Sequence, residues 1–571
     1  MLSAIKDIGY LVSKKAWSSE RPIEGKVLSV IIDAVNSSFS GIDIEDFDTK
    51  KIDLYLFSSG SSKGNVPSPF APITEPEKTY KKIEKWMKDC EKITGIENDT
   101  REFLSRINKV LAENKDLIMN LLKYKIEGLP KKKGEGRYFT LGFEGNKRYL
   151  GEYEIFKRGV EDFAAAKLKK SAGKNQVCSV CGLVREEVSG KVDVFKFYTI
   201  DKPGFISGGF KEISAWKNFP VCVECKALLE SGKKYIDVKL NFKFYGLNYY
   251  LTPRLLVGGE DILEDILNIL SDTTKAIDLK ERTKKRITND ENEILEFLSG
   301  IKDVLTLNFL FLRKEQSAER ILLLIEDVFP SRIRRIFKAK DCVDAIFEDE
   351  FNFGKIRNFY SKSDEGKRES DLNKYFLEIV DSIFKERKLD FAFLLKFFMA
   401  VIRREFINEG YFGFRIKDAL MNIMFFENLG LITFEEASMV ESMFNGIFTQ
   451  YGKSFGNPAK RGVFLLGALT QLLLNKQWNE RNARPFMKKL KGLKMDEKDI
   501  RALLPEIQNK LEEYDSFDKG KRLIASEASK YLLEAGEGWK MPVDEINFYF
   551  SCGMNLVENV ANIVYPKENI G

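Results

Sequence analysis

The segments Val177-Cys178-Ser179-Val180-Cys181-Gly182 and Val221-Cys222-Val223-Glu224-Cys225-Lys226 decide how the middle of this 571-residue chain folds. Each Cys-x-x-Cys turn aims two thiolates at one point, and two such turns complete the tetrahedral sulfur shell that zinc prefers. Gly182 can take a positive φ, which lets backbone N–H groups turn toward sulfur. The second pair lacks such a glycine and sets Lys226 beside the site. Four thiolates fill the shell and leave no position for water. The Zn2+ expected at Cys178, Cys181, Cys222 and Cys225 is therefore structural. A redox dithiol needs only one pair. Disulfides are not expected, because Met1-Leu2-Ser3-Ala4-Ile5-Lys6-Asp7 runs into an amphipathic segment with no secretory signal. Cys90, Cys342 and Cys552 stand alone and read as buried small hydrophobes.

The sequence contains no histidine. That removes Ser-His-Asp triads, Cys-His nucleophiles, histidine-dependent nucleases and mixed His/carboxylate metal centres. Carboxylate–metal chemistry survives the exclusion, but its candidates are weak. Glu348-Asp349-Glu350 and the group Asp43, Glu45, Asp46 and Asp48 read as helix-end or solvated loop charge, the latter in a polar connection between two apolar runs. Tyr451-Gly452-Lys453-Ser454 ends like a phosphate-binding loop, yet Gly446 precedes Gly452 by five intervening residues instead of four. No catalytic residue is assigned, and the chain is expected not to be an enzyme.

With 44% apolar and 12% aromatic residues the chain can bury large cores. No apolar run approaches the 18 or so residues of a membrane span, so a cytoplasmic protein without membrane contact is expected. The net charge of +6 is unevenly placed. Between Lys453 and Lys494 ten basic residues face one acid, Glu480, which gives +9 and leaves −3 for the rest of the chain. Phosphate binding depends on such local patches and not on totals. Lys460, Arg461, Arg481, Arg484, Lys488, Lys489, Lys491 and Lys494 are the candidate nucleic-acid contacts. The run from 481 to 494 mixes them with apolar anchors, as a helix–loop–helix surface over a phosphate backbone would.

The pattern predicts an α+β fold: a mixed N-terminal half holding the four-cysteine zinc module, then a mainly α-helical half ending in a bundle. Strands are expected at Lys26–Val35, Asp53–Phe57, Tyr138–Leu141, Val192–Tyr198 and the alternating Ile236–Phe244. Helix is expected from about 78 to 125, with Ile83, Trp86 and Met87 on one stripe. Loops are expected at 58–64, 131–137 and 201–210. From Glu260 the period becomes helical, over 260–312, 317–340, 371–407, 414–429 and 433–449. A terminal group follows at 461–478, 496–514, 518–535 and 543–565. Domains follow as 1–170, a zinc-binding insertion and sheet at 171–258, a helical domain at 259–450 and a basic, small-subunit-like bundle at 451–571. The zinc is expected to clip the insertion onto the sheet.

Three stretches carry a family resemblance. They are Cys178-Ser179-Val180-Cys181 with Phe195-Lys196-Phe197-Tyr198-Thr199-Ile200-Asp201-Lys202-Pro203-Gly204-Phe205, then Lys217-Asn218-Phe219-Pro220-Val221-Cys222-Val223-Glu224-Cys225 with Phe244-Tyr245-Gly246-Leu247, then Gly462–Gly467 through Leu503-Leu504-Pro505. Together they resemble the large subunit of the type I-B CRISPR surveillance complex (Cascade). The resemblance implies a non-catalytic subunit that recognises protospacer-adjacent motif DNA, holds the displaced strand and docks the helicase-nuclease. Its implied partners are crRNA, target double-stranded DNA with its displaced single strand, the other Cascade subunits and the helicase-nuclease. Sequence reading is then delegated to RNA–DNA pairing. Two alternatives stand beside it: the large subunit of a type III CRISPR complex, and a zinc-containing structural adaptor that binds only proteins. The type III reading needs a Gly-Gly-Asp-Asp-type hairpin, and the nearest match, Gly258-Gly259-Glu260-Asp261, runs into a helical pattern.

Overall fold

The computed structural model describes residues 1–14, 25–56, 67–73, 75–129, 136–169, 172–192, 194–197, 211–271, 304–315, 318–364, 366–434 and 441–566. The expected loops at 58–64 and 201–210, and residues 131–135, lie outside them. Two compact units result, Val12–Lys234 and Met1–Leu11 with Tyr235–Gly571. A helix, Leu2–Lys14 (α1), opens the chain.

In the unit Val12–Lys234, Gly25–Asp33 (β1) pairs antiparallel with Ser38–Asp46 (β2) and parallel with Gly136–Phe143 (β4). Ala71–Pro72 (β3) completes the order β2-β1-β4-β3. A parallel pair needs a long crossover. Here Pro76–Cys90 (α3), Asn98–Glu113 (α4) and Lys115–Glu127 (α5) supply it. Leu28, Val30 and Ile32 of β1 share a core with Ile83, Trp86 and Met87 of α3, the stripe expected from the sequence. The described residues of the expected strand Asp53–Phe57 are not strand: Ile52–Tyr55 (α2) is a helical turn closed by Leu56 at φ 54°. Asp43, Glu45 and Asp46 lie on the edge strand β2 and not in a connection.

After Glu154–Lys169 (α6) comes a hairpin, Ala172–Val177 (β5) with Val184–Ser189 (β6). The described residues of the expected strand Val192–Tyr198 form turns; the hairpin precedes them. Val223–Lys239 (α7) is a helix, so the alternation at Ile236–Phe244 holds only for Asn241–Phe244 (β7). Cys225, Leu229, Gly232, Lys233, Tyr235 and Ile236 are the buried residues of α7. Its 3.6 period is masked in the sequence because glycine and lysine occupy two of those positions.

In the other unit, β7, Leu247–Leu255 (β8), Leu305–Lys314 (β9) and Glu319–Val328 (β10) form an antiparallel sheet ordered β10-β9-β8-β7. Glu260–Ser271 (α8) confirms the helix start at Gly258-Gly259. β9 and β10, however, are strands in a region where helix was expected over 260–312 and 317–340. Leu305 to Leu312 are buried without a break. A central strand covered on both faces loses its alternation and is indistinguishable by period from a buried helix.

Helices then dominate: Pro330–Phe347 (α9), Phe353–Arg357 (α10), Asn373–Lys385 (α11), Phe391–Ile407 (α12), Phe412–Asn428 (α13) and Asn445–Gln450 (α14). The terminal bundle comprises Pro458–Arg481 (α15), Glu497–Glu513 (α16), Lys519–Glu534 (α17), Val543–Asn555 (α18) and Val557–Val564 (α19). One continuous apolar core runs from Phe244 to Val560. At its centre α15 and α18 touch backbone to backbone. A Cβ on Gly467 would lie 2.0 Å from the Phe550 carbonyl oxygen, and one on Gly553 1.8 Å from that of Phe464. Cys90 and Cys552 are buried as expected, but Cys342 is exposed on the outer face of α9. No helix among the described residues is long and apolar enough to cross a membrane.

Candidate metal centre and nucleic-acid interface

The sulfur atoms of Cys178, Cys181, Cys222 and Cys225 lie within 4.8 Å of one another. Zinc with bonds of about 2.3 Å separates tetrahedral sulfurs by about 3.8 Å, so the cluster matches one ion with a small inward adjustment. Each half is held differently. The hairpin β5–β6 carries the first pair on its turn, where the Cys178 N–H donates to the Leu183 carbonyl (2.9 Å) and the Gly182 N–H to that of Cys178 (2.9 Å). Gly182 sits at φ 72°, as its sequence position predicts. The second pair lies at the start of α7, where a helix N-terminus favours negative charge. The N–H groups of Val180 and Cys222 each point at the Cys178 sulfur at 3.4 Å, linking the two halves. Ser189 and Val221 exchange backbone hydrogen bonds at 2.9 and 3.0 Å. The cysteines thus join the hairpin to the start of a helix, where the insertion was expected to be clipped onto the sheet.

Burial raises the Cys222 and Cys225 thiols, with neighbouring thiols adding to the effect at Cys225. Burial also pushes Cys181 upward, but the Leu183 N–H and the Arg185 guanidinium outweigh it and bring the thiol down to about 6. Arg185 is braced by Glu224 at 3.0 Å. Four crowded sulfurs cannot all ionise in a buried pocket unless a cation replaces their protons. Four soft donors without an open position fit a structural zinc. Phe195 and Phe197 stack at 4.8 Å nearby, with the Lys233 ammonium 5.0 Å from the Phe195 ring.

The basic segment divides into an inner and an outer set. Lys460 pairs with Glu545 at 2.9 Å and lies 5.1 Å from the Tyr549 ring. Arg461 is 7% exposed, donates to the Phe455 carbonyl and stacks on Phe448. The structure does not bring these two to the surface. They tie α15, which is buried nearly all round, to its neighbours. Arg481, Arg484, Lys488, Lys489, Lys491 and Lys494 are all exposed.

These six lie at the end of α15 and along the strap, fixed from below, that leads from it to α16. Phe486, Leu490, Leu493 and Met495 are buried. The Phe486 N–H donates to the Gln477 side chain (3.1 Å), Arg403 donates to the Leu493 carbonyl (2.8 Å), and Asn547 both accepts from and donates to Met495 (3.1 and 2.8 Å). Lys491, Gly492 and Leu493 are consecutive left-handed residues, at φ 49°, 61° and 61°. Such conformations cost about 1–3 kcal/mol at a non-glycine residue and persist only where the surroundings dictate them. Lys489 pairs with Glu506 (3.1 Å) and Lys491 with Asp499 (2.6 Å). Arg481, Arg484, Lys488 and Lys494 have no carboxylate within ion-pair distance among the described residues. Arg484 lies 5.0 Å from the Trp478 ring and Arg481 4.9 Å from that of Tyr514. Charge counting found the strap but missed Gln477 and Asn547, whose amides carry no distinguishing sequence signal. The acidic groups are engaged elsewhere: Asp349 pairs with Lys355 and Lys417, each at 3.1 Å.

No curated protein matches the chain. Family models do, in three consecutive pieces that cover most of its length. Residues 1–162 match the N-terminal domain of CRISPR-associated protein TM1802, 175–328 its central domain and 351–568 its C-terminal domain. The central match begins at the hairpin that carries the first cysteine pair and stops at the end of β10, where strands give way to helices. With the cysteine cluster and the helical C-terminal half in the corresponding pieces, the chain belongs to the TM1802 family of CRISPR-associated proteins.

Proposed function

We propose that the chain is the non-catalytic large subunit of a crRNA-guided type I-B interference complex (Cascade), acting in the cytoplasm. In this reading it recognises protospacer-adjacent motif DNA, stabilises the displaced strand and recruits the helicase-nuclease, with a structural zinc at the four cysteines. The strap is the observation that carries the reading. Its backbone is strained and anchored, and four of its cations lack carboxylate partners among the described residues. Cations that a protein leaves unpaired on a rigid support suit a polyanion, because no internal salt bridge must break first. A non-catalytic role accords with a histidine-free chain whose Asp349 is held in ion pairs.

The test is charge reversal of Arg484, Lys488 and Lys494 in the assembled complex. Affinity for target DNA should fall, and the slope of log affinity against log salt should flatten by about 2–3. Unchanged affinity and slope would remove the strap from the nucleic-acid interface.

A further inference from the structure

The strap abuts an unusual patch. A Cβ on Gly492 would lie 3.6 Å from the Ile407 side chain, so the left-handed turn rests against the C-terminal end of α12. Around that end, the last residue of α12, the turn and the first turn of α13 expose Ile407 (63%), Tyr411 (69%) and Phe414 (69%) respectively. Two large rings this open are expensive to leave in water. The turn is not loose: Glu405 accepts the Tyr411 N–H at 2.8 Å, and the Gly410 N–H donates to the Glu405 carbonyl at 2.9 Å. The rings meet at 6.3 Å and 60°, edge to face, so each keeps an outer face.

We infer that Tyr411 and Phe414 form a stacking platform for unpaired nucleobases whose phosphates run along Lys488 and Lys494; this rests on the strap being a nucleic-acid interface. Aromatic faces beside a cationic track are how proteins hold single strands without reading sequence. Glu409 is an exposed anion on the same turn. It repels phosphate there, which leaves the rings for bases. A protein docking through the apolar patch alone would have to cover the neighbouring cations. An unpaired strand satisfies both surfaces at once. Duplex bases already stack on each other and offer no face, so the platform discriminates against duplex.

Full-length protein carrying Tyr411→Ala and Phe414→Ala should be titrated by fluorescence anisotropy with four probes: single-stranded DNA, the same strand with abasic positions, single-stranded RNA and blunt duplex. Affinity for an intact single strand should drop about tenfold or more, with the salt slope unchanged. The abasic strand should bind wild type as weakly as the intact strand binds the variant, and should lose nothing further on mutation. Tyr411→Trp with Phe414→Trp should restore binding. Comparing the DNA and RNA arms identifies which strand the platform serves. An equal loss on the abasic strand, or no loss while reversal of Lys488 and Lys494 abolishes binding, overturns the platform and leaves the strap standing. If neither variant alters binding, the strap reading itself fails. If oligonucleotide affinity holds but assembly with the other subunits is lost, the patch is a protein interface and the inference is wrong.

Discussion

The hairpin β5–β6 buries three of its twelve residues, Gly173, Val188 and Ser189, whereas α15 buries fourteen of twenty-four. The first cannot hold its shape by packing and depends on four sulfurs around one point. The second is held by contact on nearly every side, down to glycines that let two backbones touch. One region concentrates its stabilisation at four sulfurs; the other spreads it over many side chains. The two should therefore fail differently.

The largest effect should come from metal removal. Structural zinc binding is worth about 10–16 kcal/mol in small zinc peptides, far more than so few buried residues could replace. A strong chelator should release one zinc per chain. Amides of 172–189 and 211–226 should then lose hydrogen-exchange protection while those of 458–564 keep theirs. Simultaneous loss in both regions would erase the distinction, and a purified chain without zinc would refute the metal assignment.

Next in size is Gly553→Ala. The added methyl would meet the Phe464 carbonyl at 1.8 Å, a backbone contact that no rotamer change relieves. Overpacking of this kind costs about 1–3 kcal/mol or more. Denaturant unfolding should show a lowered midpoint, while zinc content stays the same. A neutral result would mean that α15 and α18 can separate cheaply.

The smallest effect concerns Asp518, the N-cap of α17, which accepts the Lys521 N–H at 3.0 Å. Burial raises its pKa, but the Lys521 ammonium and N–H and the Tyr565 hydroxyl outweigh it and hold it at about 2. Its contribution is therefore complete above the ordinary carboxylate value and is lost as pH falls from about 4 through 2. Asp518→Ala should cost about 1 kcal/mol near neutrality. Asp518→Asn keeps the cap, so it should cost less there and flatten the acid limb of the stability curve. An acid limb identical to wild type in Asp518→Asn would exclude this carboxylate as its source.

What the sequence revealed follows the range of the interactions involved. The cysteine pairs and Gly182 were legible because a Cys-x-x-Cys turn is set by residues a few positions apart. The strap's cations were visible as a run of charge. Which of them face outward was not, since α15 is buried on nearly all sides and has no polar stripe to mark a surface. Lys460 and Arg461 were assigned to the interface for that reason. Residues 305–314 misled because a strand covered on both faces shows no alternation. In α7 the buried positions Gly232 and Lys233 broke the helical pattern, leaving the accidental alternation at its end to dominate. Asn308, fully buried and donating to the Thr252 carbonyl at 3.1 Å, shows the same limit: its role exists only once β8 and β9 are side by side.

The left-handed turn at Lys491-Gly492-Leu493 also bears on rates. A loop that must fold around its partner associates at a pace set by its own ordering. This one is ordered by Arg403, Gln477 and Asn547 before any partner arrives. A polyanion reaching it should be captured at a rate governed by long-range attraction, rising steeply as ionic strength falls. Mutation of Gln477 or Asn547 beneath the strap should then slow capture without altering a single charge.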